Sequence, residues 1–217
     1  MPLCIIIGAG TGVSLAVARR FGREGFQVAA VARHRAKLDS FQYAVREAGA
    51  ACATYPADAG DERSFRESLR RIQRDFGAPD VVVYNASAGA PGVPTTLSRD
   101  TLIHDFDVNV TGAAIAAQEC ASSMIQAGRG SILITGGGLA FEPMAEIASL
   151  SLGKAAIRSL SFSLAGELGP KGIHVATVTI CGFVQEGTPF APDLIAEEYW
   201  RLHNQPQQQW EREVVFK

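Results

Sequence analysis

The sequence has few cysteines and histidines, and neither kind is clustered. The cysteines are widely and irregularly spaced, no CxxC pair occurs, and the four histidines are scattered. Zinc sites are built from closely spaced residues of these types, so the sequence predicts no metal site. We expect reduced, mostly buried thiols at Cys4, Cys52, Cys120 and Cys181.

The chain also lacks an excess of charge, a long apolar run and a recognisable leader. Its 20 basic and 22 acidic residues leave a net charge of −2, so there is no general attraction to nucleic acid or membranes. No apolar run approaches the ~20 residues that span a bilayer. Residues 1–5 lead directly into an apolar segment without the basic start of a signal peptide. We therefore expect a cytoplasmic protein that binds neither nucleic acid nor membranes.

Short apolar runs alternate with longer amphipathic runs along the whole chain. Hydrophobic residues make up 47% of the 217 residues and charged residues 19%, which is typical of one globular domain over 1–217. The pattern predicts strands at 3–7, 27–32, 51–55, 81–84, 131–135, 174–180 and 213–216. It predicts helices at 14–24, 35–48, 61–76, 99–127 (with room for an interruption), 146–168 and 192–203. Apolar strands joined by helical crossovers predict an α/β fold, a doubly wound, mainly parallel seven-stranded sheet with helices on both faces.

A glycine-rich segment, Gly8-Ala9-Gly10-Thr11-Gly12-Val13-Ser14, separates the first strand from the first helix. Glycines in this position let the backbone approach a pyrophosphate, and the N–H groups of the following helix face the anion. The spacing is not a literal GxGxxG, because Ser14 stands at the place of a third glycine, although serine is small enough for close packing. We interpret the segment as a phosphate-binding turn, the alternative being a turn with only a structural role.

The second predicted strand ends without the acidic residue that commonly binds the ribose 2′-hydroxyl of NAD. Arg33 follows this strand and could pair with the 2′-phosphate of NADP through charge-assisted hydrogen bonds. The Thr11 hydroxyl could contact the same phosphate. The sequence thus favours NADP over NAD, although Arg33 could also be a solvated loop charge.

Together these motifs resemble the short-chain dehydrogenase/reductase (SDR) family over nearly the whole chain. Residues 8–14 are similar to the family's TGxxxGxG turn, Ala57-Asp58 to its adenine-contacting aspartate, and Tyr84-Asn85-Ala86-Ser87 to its NNAG motif with two replacements. The resemblance implies a Rossmann-like fold, an oxidoreductase activity and an NAD(P) cofactor. It places the cofactor-binding residues at Gly8, Gly10, Thr11, Gly12, Val13, Arg33, Asp58, Asn85, Ala86, Lys154 and Thr188.

The resemblance also extends to the catalytic residues of the family, with two departures. Asn109 and Lys154 match the asparagine and lysine of the family's catalytic tetrad, whereas Gly137 and Leu150 stand where its serine and tyrosine are expected. In the family, the tyrosine supplies a proton to the developing alkoxide and the serine polarises the carbonyl. General acid catalysis is typically worth ~10²–10⁴-fold in rate, so ordinary carbonyl reduction should be impaired. The resemblance nevertheless implies catalytic roles for Asn109 and Lys154.

Other side chains could replace the missing proton donor, and two functions stay open. The candidates are Thr135, Glu142, Glu146, Ser149 and Ser151, whereas Tyr84 is expected to form a wall of the cofactor site. One function is an NADP-dependent oxidoreductase with an unknown substrate. The other is a catalytically inactive, nucleotide-binding or regulatory homologue. Small residues on the helices that carry Asn109 and Leu150 resemble the family's dimer interface and imply a homodimer or homotetramer, close packing within one subunit being the alternative.

Overall fold

Seven strands form a single, entirely parallel sheet in the order β3-β2-β1-β4-β5-β6-β7. The computed structural model describes residues 1–217. The strands are β1 (Leu3–Ile7), β2 (Gln27–Ala32), β3 (Cys52–Pro56), β4 (Val81–Tyr84), β5 (Ser131–Gly137), β6 (His174–Ile180) and β7 (Glu213–Phe216). The predicted doubly wound α/β fold is confirmed.

The chain also forms seven α-helices. They are α1 (Val13–Arg23), α2 (Arg35–Glu47), α3 (Glu62–Phe76), α4 (Arg99–Phe106), α5 (Gly112–Ala127), α6 (Ala148–Leu168) and α7 (Pro192–His203). Of these, six cover the two faces of the sheet and α4 packs on α6. The helix predicted over 99–127 is interrupted by a π-helical segment, Asp107–Thr111, between α4 and α5. The helix predicted from residue 146 begins two residues later, at Ala148. No helix combines the length and apolar character needed to cross a membrane.

The buried side chains divide into one hydrophobic layer on each face of the sheet. One layer packs α1, α2 and α7 on the strands, and the other packs α3, α5 and α6 on the opposite face. Helix α3 shows why these segments fold as they do, since Phe65, Leu69 and Ile72 are fully buried along one stripe while its arginines stay on the other side. Such a stripe recurs every three to four residues and lets a helix bury one face only.

The order of the strands determines where a ligand can bind. Strand β1 pairs with β2 on one side and with β4 on the other, so the winding direction of the chain reverses between β1 and β4. In open parallel sheets, ligands bind at the carboxyl ends of the strands beside such a reversal. The segments after β1, β2 and β4 are therefore the place to look for a site.

Candidate functional site

A cavity of about 230 Å³ opens at the carboxyl ends of β1, β2 and β4. Five of the residues predicted to bind a cofactor line it: Gly8, Arg33, Asp58, Asn85 and Ala86. The remaining lining residues are Ile7, Ala9, Val31, Ala32, His34, Lys37, Ala57, Ala59, Ser87 and Val108. Residues from five separate segments of the chain therefore meet at the point where the winding reverses.

Gly8 is the position in the turn where a side chain cannot be accommodated. Its φ angle is +85°, and a Cβ atom there would lie 2.4 Å from the backbone nitrogen of Ala86. The N–H groups of Gly8 and Ala9 both donate to the carbonyl of Val31, at 2.9 and 3.1 Å. The turn is therefore held tightly between β2 and the segment that follows β4.

The start of α1 presents free backbone N–H groups beside this turn. Gly12 is its N-cap residue, no side chain caps the helix, and its first turn carries no acidic residue. Gly10 has no neighbouring atom within 4 Å of its would-be Cβ, and Thr11 is exposed. Neither these residues nor Val13, which is buried in the core, line the cavity itself. An uncapped helix N-terminus with open space before it can receive an anion.

Ser14, which occupies the place of the third glycine, forms a bridge between two parts of the site. Its hydroxyl donates to the carbonyl of Gly8 at 2.8 Å and accepts from the Asn85 side-chain amide at 2.7 Å. The residue is 1% exposed. The sequence predicted only that a small residue fits here, because nothing in the spacing of the motif indicates a hydroxyl with two partners.

Three basic side chains, Arg33, His34 and Lys37, lie at the end of the cavity formed by β2 and α2. Arg33 Nη1 is 3.9 Å from Asp58 Oδ2, and both side chains are substantially exposed, at 49% and 35%. Exposed ion pairs at such distances contribute little, so Arg33 is free to turn towards another anion. Asp58 also accepts a hydrogen bond from the N–H of Gly60 at 2.9 Å. His34 and Lys37 are cavity residues that the motifs do not predict; the signal for Lys37 is its place one helical turn after Arg33.

Lys154 lies apart from this cavity, at the carboxyl end of β5. Its Nζ donates to the backbone carbonyl of Thr135 at 3.0 Å. A Cβ atom on Gly137 would lie 3.3 Å from both Cδ and Cε of Lys154, so the lysine stem lies directly on the glycine. Burial lowers the pKa of Lys154 to about 8. No carboxylate lies within ion-pair distance of its ammonium.

Asn109, in the π-helical segment, holds the loop after β4 rather than pointing to solvent. Its side chain accepts from the N–H of Ala88 at 3.0 Å and donates to the carbonyl of the same residue at 2.7 Å. A Cβ atom on Gly153 would be 2.6 Å from Asn109 Nδ2, so α6 packs directly on this amide. The structure thereby connects Asn109, the loop and the helix that carries Lys154.

The hydroxyl groups considered as proton donors are bonded elsewhere. Tyr84 is buried and donates to the carbonyl of Val108; contrary to the sequence expectation, it does not line the cavity. Thr135 pairs with the hydroxyl of Tyr199 at 2.7 Å. Ser149 donates to Asp105 at 2.6 Å, and Ser151 bonds to the backbone of Met144 and Ile147. The carboxylic candidates Glu142 and Glu146 are exposed.

The surroundings of Leu150 and Thr188 differ from those that the family motifs suggest for these positions. Leu150, four residues before Lys154, packs closely on the backbone of Gly89. The hydroxyl of Thr188 donates to the carbonyl of Gln185 at 2.8 Å and accepts from the N–H of Phe190 at 3.1 Å. Thr188 is therefore engaged within its own loop, outside the cavity.

Comparison with known proteins gives a consistent result. A family model described as short chain dehydrogenase matches residues 3–198. The chain is 30% identical over 186 residues to 2,3-dihydro-2,3-dihydroxybenzoate dehydrogenase of Bacillus subtilis strain 168, covering 86% of this chain and 69% of that protein. It is 29% identical to the cyclic-di-GMP-binding biofilm dispersal mediator protein of Escherichia coli strain K12, covering 80% and 70% of the two chains.

A crystal structure of a metagenomic short-chain oxidoreductase in complex with NADP has the same fold. It superposes with a TM-score of 0.90 at 25% identity and covers 99% of this chain and 96% of its own. The match to the family model includes the turn after β1, the loop after β4 and the helix that carries Lys154. On these grounds, the protein belongs to the short-chain dehydrogenase family, whose members are NAD(P)-binding oxidoreductases.

Proposed function

We propose that this protein is an NADP-dependent oxidoreductase that interconverts a carbonyl compound and its alcohol. The proposal is based on one observation: the turn at Gly8, Arg33 and Lys37 line the same cavity. The turn suits a pyrophosphate, and the basic residues after β2 suit a further phosphate on the adenosine ribose. No carboxylate stands directly after β2, where residues 33–37 are Arg, His, Arg, Ala and Lys, to bind a free 2′-hydroxyl.

The residues at the site fit such a dinucleotide. Gly8 leaves the space that a Cβ would fill, the N-terminus of α1 is uncapped, and Asn85 is held in place by Ser14. Asp58 and Arg33 line the part of the cavity suited to the adenosine end. When bound, the cofactor supplies or accepts a hydride, and the chain's own residues hold it and the substrate and manage the proton.

Binding of the reduced dinucleotides provides the first test. Titration with NADPH and NADH, followed by the change in nicotinamide fluorescence, should show tighter binding of NADPH. Replacing Arg33 by alanine should weaken NADPH binding by about 10- to 100-fold, the loss expected for a charge-assisted hydrogen bond, and should leave NADH binding nearly unchanged. Arg35→Ala is the matched control, because Arg35 is exposed and does not line the cavity. Equal affinity for both dinucleotides would contradict the preference for NADP.

A non-catalytic nucleotide-binding protein is the second candidate. Two features favour it: Gly137 and Leu150 stand at the positions that the family resemblance assigns to a serine and a tyrosine, and one relative is named for binding cyclic di-GMP. Aldehydes, ketones and enones offered together with NADPH separate the candidates. Turnover supports the oxidoreductase, whereas tight NADPH binding without oxidation across the whole panel supports the second candidate.

A further inference from the structure

Lys154 is the polar group at the end of β5 that still has hydrogen-bond donors to offer. An ammonium has three N–H donors, and the one bond that Lys154 makes is to the carbonyl of Thr135. The neighbouring polar side chains are engaged, since Asn109 is bonded twice to Ala88 and the Thr135 hydroxyl pairs with Tyr199. Two donors of Lys154 are therefore available to a ligand.

Gly137 leaves room for the stem of Lys154 beside β5. The stem of Lys154 lies within 3.3 Å of the place where a Cβ of residue 137 would be. A Cβ atom there would be in tight contact with the stem, which would have to shift by a few tenths of an ångström. With glycine at 137, the lysine stem lies directly against the strand end, in space that a side chain at 137 would share.

We propose that Lys154 is the proton donor to the substrate oxygen in this chain. The proposal rests on the proposed carbonyl reduction. As the carbonyl carbon receives a hydride from the reduced dinucleotide, the C=O π bond breaks and the oxygen takes a proton from the Lys154 ammonium. A C–H and an O–H bond form, the dinucleotide is oxidised, the carbonyl is reduced to an alcohol, and Lys154 is left as a neutral amine. Water then restores its proton.

The electrostatic surroundings support this role. Burial lowers the pKa of Lys154 to about 8, and a general acid works best when its pKa is near the operating pH. No carboxylate holds the ammonium in its charged form. The charged and titratable groups on elements that pack near α6 are bonded to other groups, exposed, or not paired with Lys154. Asp105 accepts from Ala90 and Ser149, Cys181 bonds to the carbonyl of Thr179, and Arg158 pairs with Glu213. Glu142 and Glu146 are exposed, and the half-buried Asp107 forms no ion pair with Lys154.

The first experiment measures the proton of Lys154 directly, without turnover. The chain has four lysines, Lys37, Lys154, Lys171 and Lys217, so protein labelled with ¹³C at lysine Cε gives four signals to follow by NMR between pH 6 and 12. Lys154→Arg identifies the relevant signal by its disappearance. We expect the Lys154 signal to titrate near its lowered pKa of about 8; a Lys154 signal that titrates at the ordinary lysine pKa of about 10.4 would overturn the proposal.

The second experiment compares variants in the reduction assay with NADPH. Wild-type kcat/KM should fall about tenfold per pH unit above the pKa of the acid. Lys154→Met should lose about 10²–10⁴-fold in turnover, and Lys154→Arg should bind NADPH but also lose turnover, because a guanidinium does not release its proton. Lys171→Met is the control, since Lys171 is exposed and pairs with Glu167.

The outcomes separate this inference from the proposed function. Turnover that is unchanged in Lys154→Met or retained in Lys154→Arg overturns the lysine as proton donor and leaves the oxidoreductase standing. A wild-type protein that binds NADPH and reduces none of the carbonyl compounds overturns both.

Discussion

The hydroxyl of Ser14 makes two hydrogen bonds that a glycine at this position of the motif could not make. A glycine at this position would leave the carbonyl of Gly8 and the amide of Asn85 without their shared partner. The serine hydroxyl joins the turn after β1 to the loop after β4, so the two segments are held before any ligand arrives. Such preorganisation lowers the cost of binding, because less motion is lost when the ligand binds.

Replacing Ser14 by alanine tests this bridge. Two half-buried polar groups, the Gly8 carbonyl and the Asn85 amide, lose a partner. The free energy of unfolding should therefore fall by about 1 kcal/mol, and dinucleotide binding should weaken. Urea denaturation and the fluorescence titration measure the two effects. Ser163→Ala is the control, because that hydroxyl is exposed and bonds only to the carbonyl of Ser159 in its own helix. Unchanged stability and affinity in Ser14→Ala would show that the bridge contributes nothing.

At the level of elements, helix α6 is positioned by a glycine rather than by a large side chain. Gly153 lies against Asn109, which itself holds Ala88 in the loop after β4. The close contact between Gly153 of α6 and the Asn109 side chain sets the distance of α6 from the sheet. It thereby also positions Lys154, the residue that follows Gly153. Gly166 lies in the same helix but has no neighbour within 4 Å of its would-be Cβ.

The two glycines should respond in opposite ways to the same substitution. Gly166→Ala should raise the free energy of unfolding by up to about 1 kcal/mol, because alanine has the higher helix propensity. Gly153→Ala should lower it by about 1–3 kcal/mol, since the added methyl group collides with Asn109. Thermal or urea unfolding of the two variants gives the comparison. A Gly153→Ala protein as stable as Gly166→Ala would mean that α6 can move without consequence.

The sequence predicts most of the elements because their apolar patterns are strong and local. The bounds of β1, β2, β4, β6, α7 and β7 agree with the prediction to the residue. The π-helical turn at Asn109 and the two contacts of Ser14 depend on groups far away in the chain, and no local pattern encodes them. The same holds at the site. The motifs predict Gly8, Arg33 and Asp58 as site residues, and the structure places them in one cavity. The contact between Gly137 and Lys154 cannot be predicted from the sequence, because it depends on how α6 packs on β5.

At the scale of the whole molecule, two histidines, the buried His174 and the half-buried His203, link stability to pH. His174 is 2% exposed, with its ring nitrogens 2.9 Å from the carbonyl of Leu202 and 2.8 Å from that of Glu211. His203 packs among aromatic rings and contacts Ser131. Burial lowers the pKa of both histidines, an effect that the two carbonyls only partly offset at His174.

Because their pKa values are lowered in the folded state, the two histidines make the fold less stable in mild acid. Well above the unfolded histidine pKa of about 6.5, both rings are neutral in the folded and unfolded chain, and their contribution is complete. As the pH falls below that value, the unfolded chain takes up protons that the folded chain resists, so the free energy of unfolding decreases. Urea denaturation between pH 7.5 and 5 should show this loss, mostly before the carboxylates titrate.

His203→Gln should flatten the pH dependence, whereas His104→Gln, at an exposed position of α4, should leave it unchanged. NMR signals of the four imidazoles report the pKa values independently of any variant. A stability that is constant from pH 7.5 to 5 would contradict the assignment of these two rings.

The strand order also sets a route by which the chain can assemble during synthesis. Strand β1 is made first and lies inside the sheet, and β2 and β3 then extend one side before β4 to β7 extend the other. Each new strand joins at an open edge, and none has to insert between two strands already paired. A nascent chain leaving the ribosome can thus build its sheet outward from the first strand, with β7 completing the far edge last.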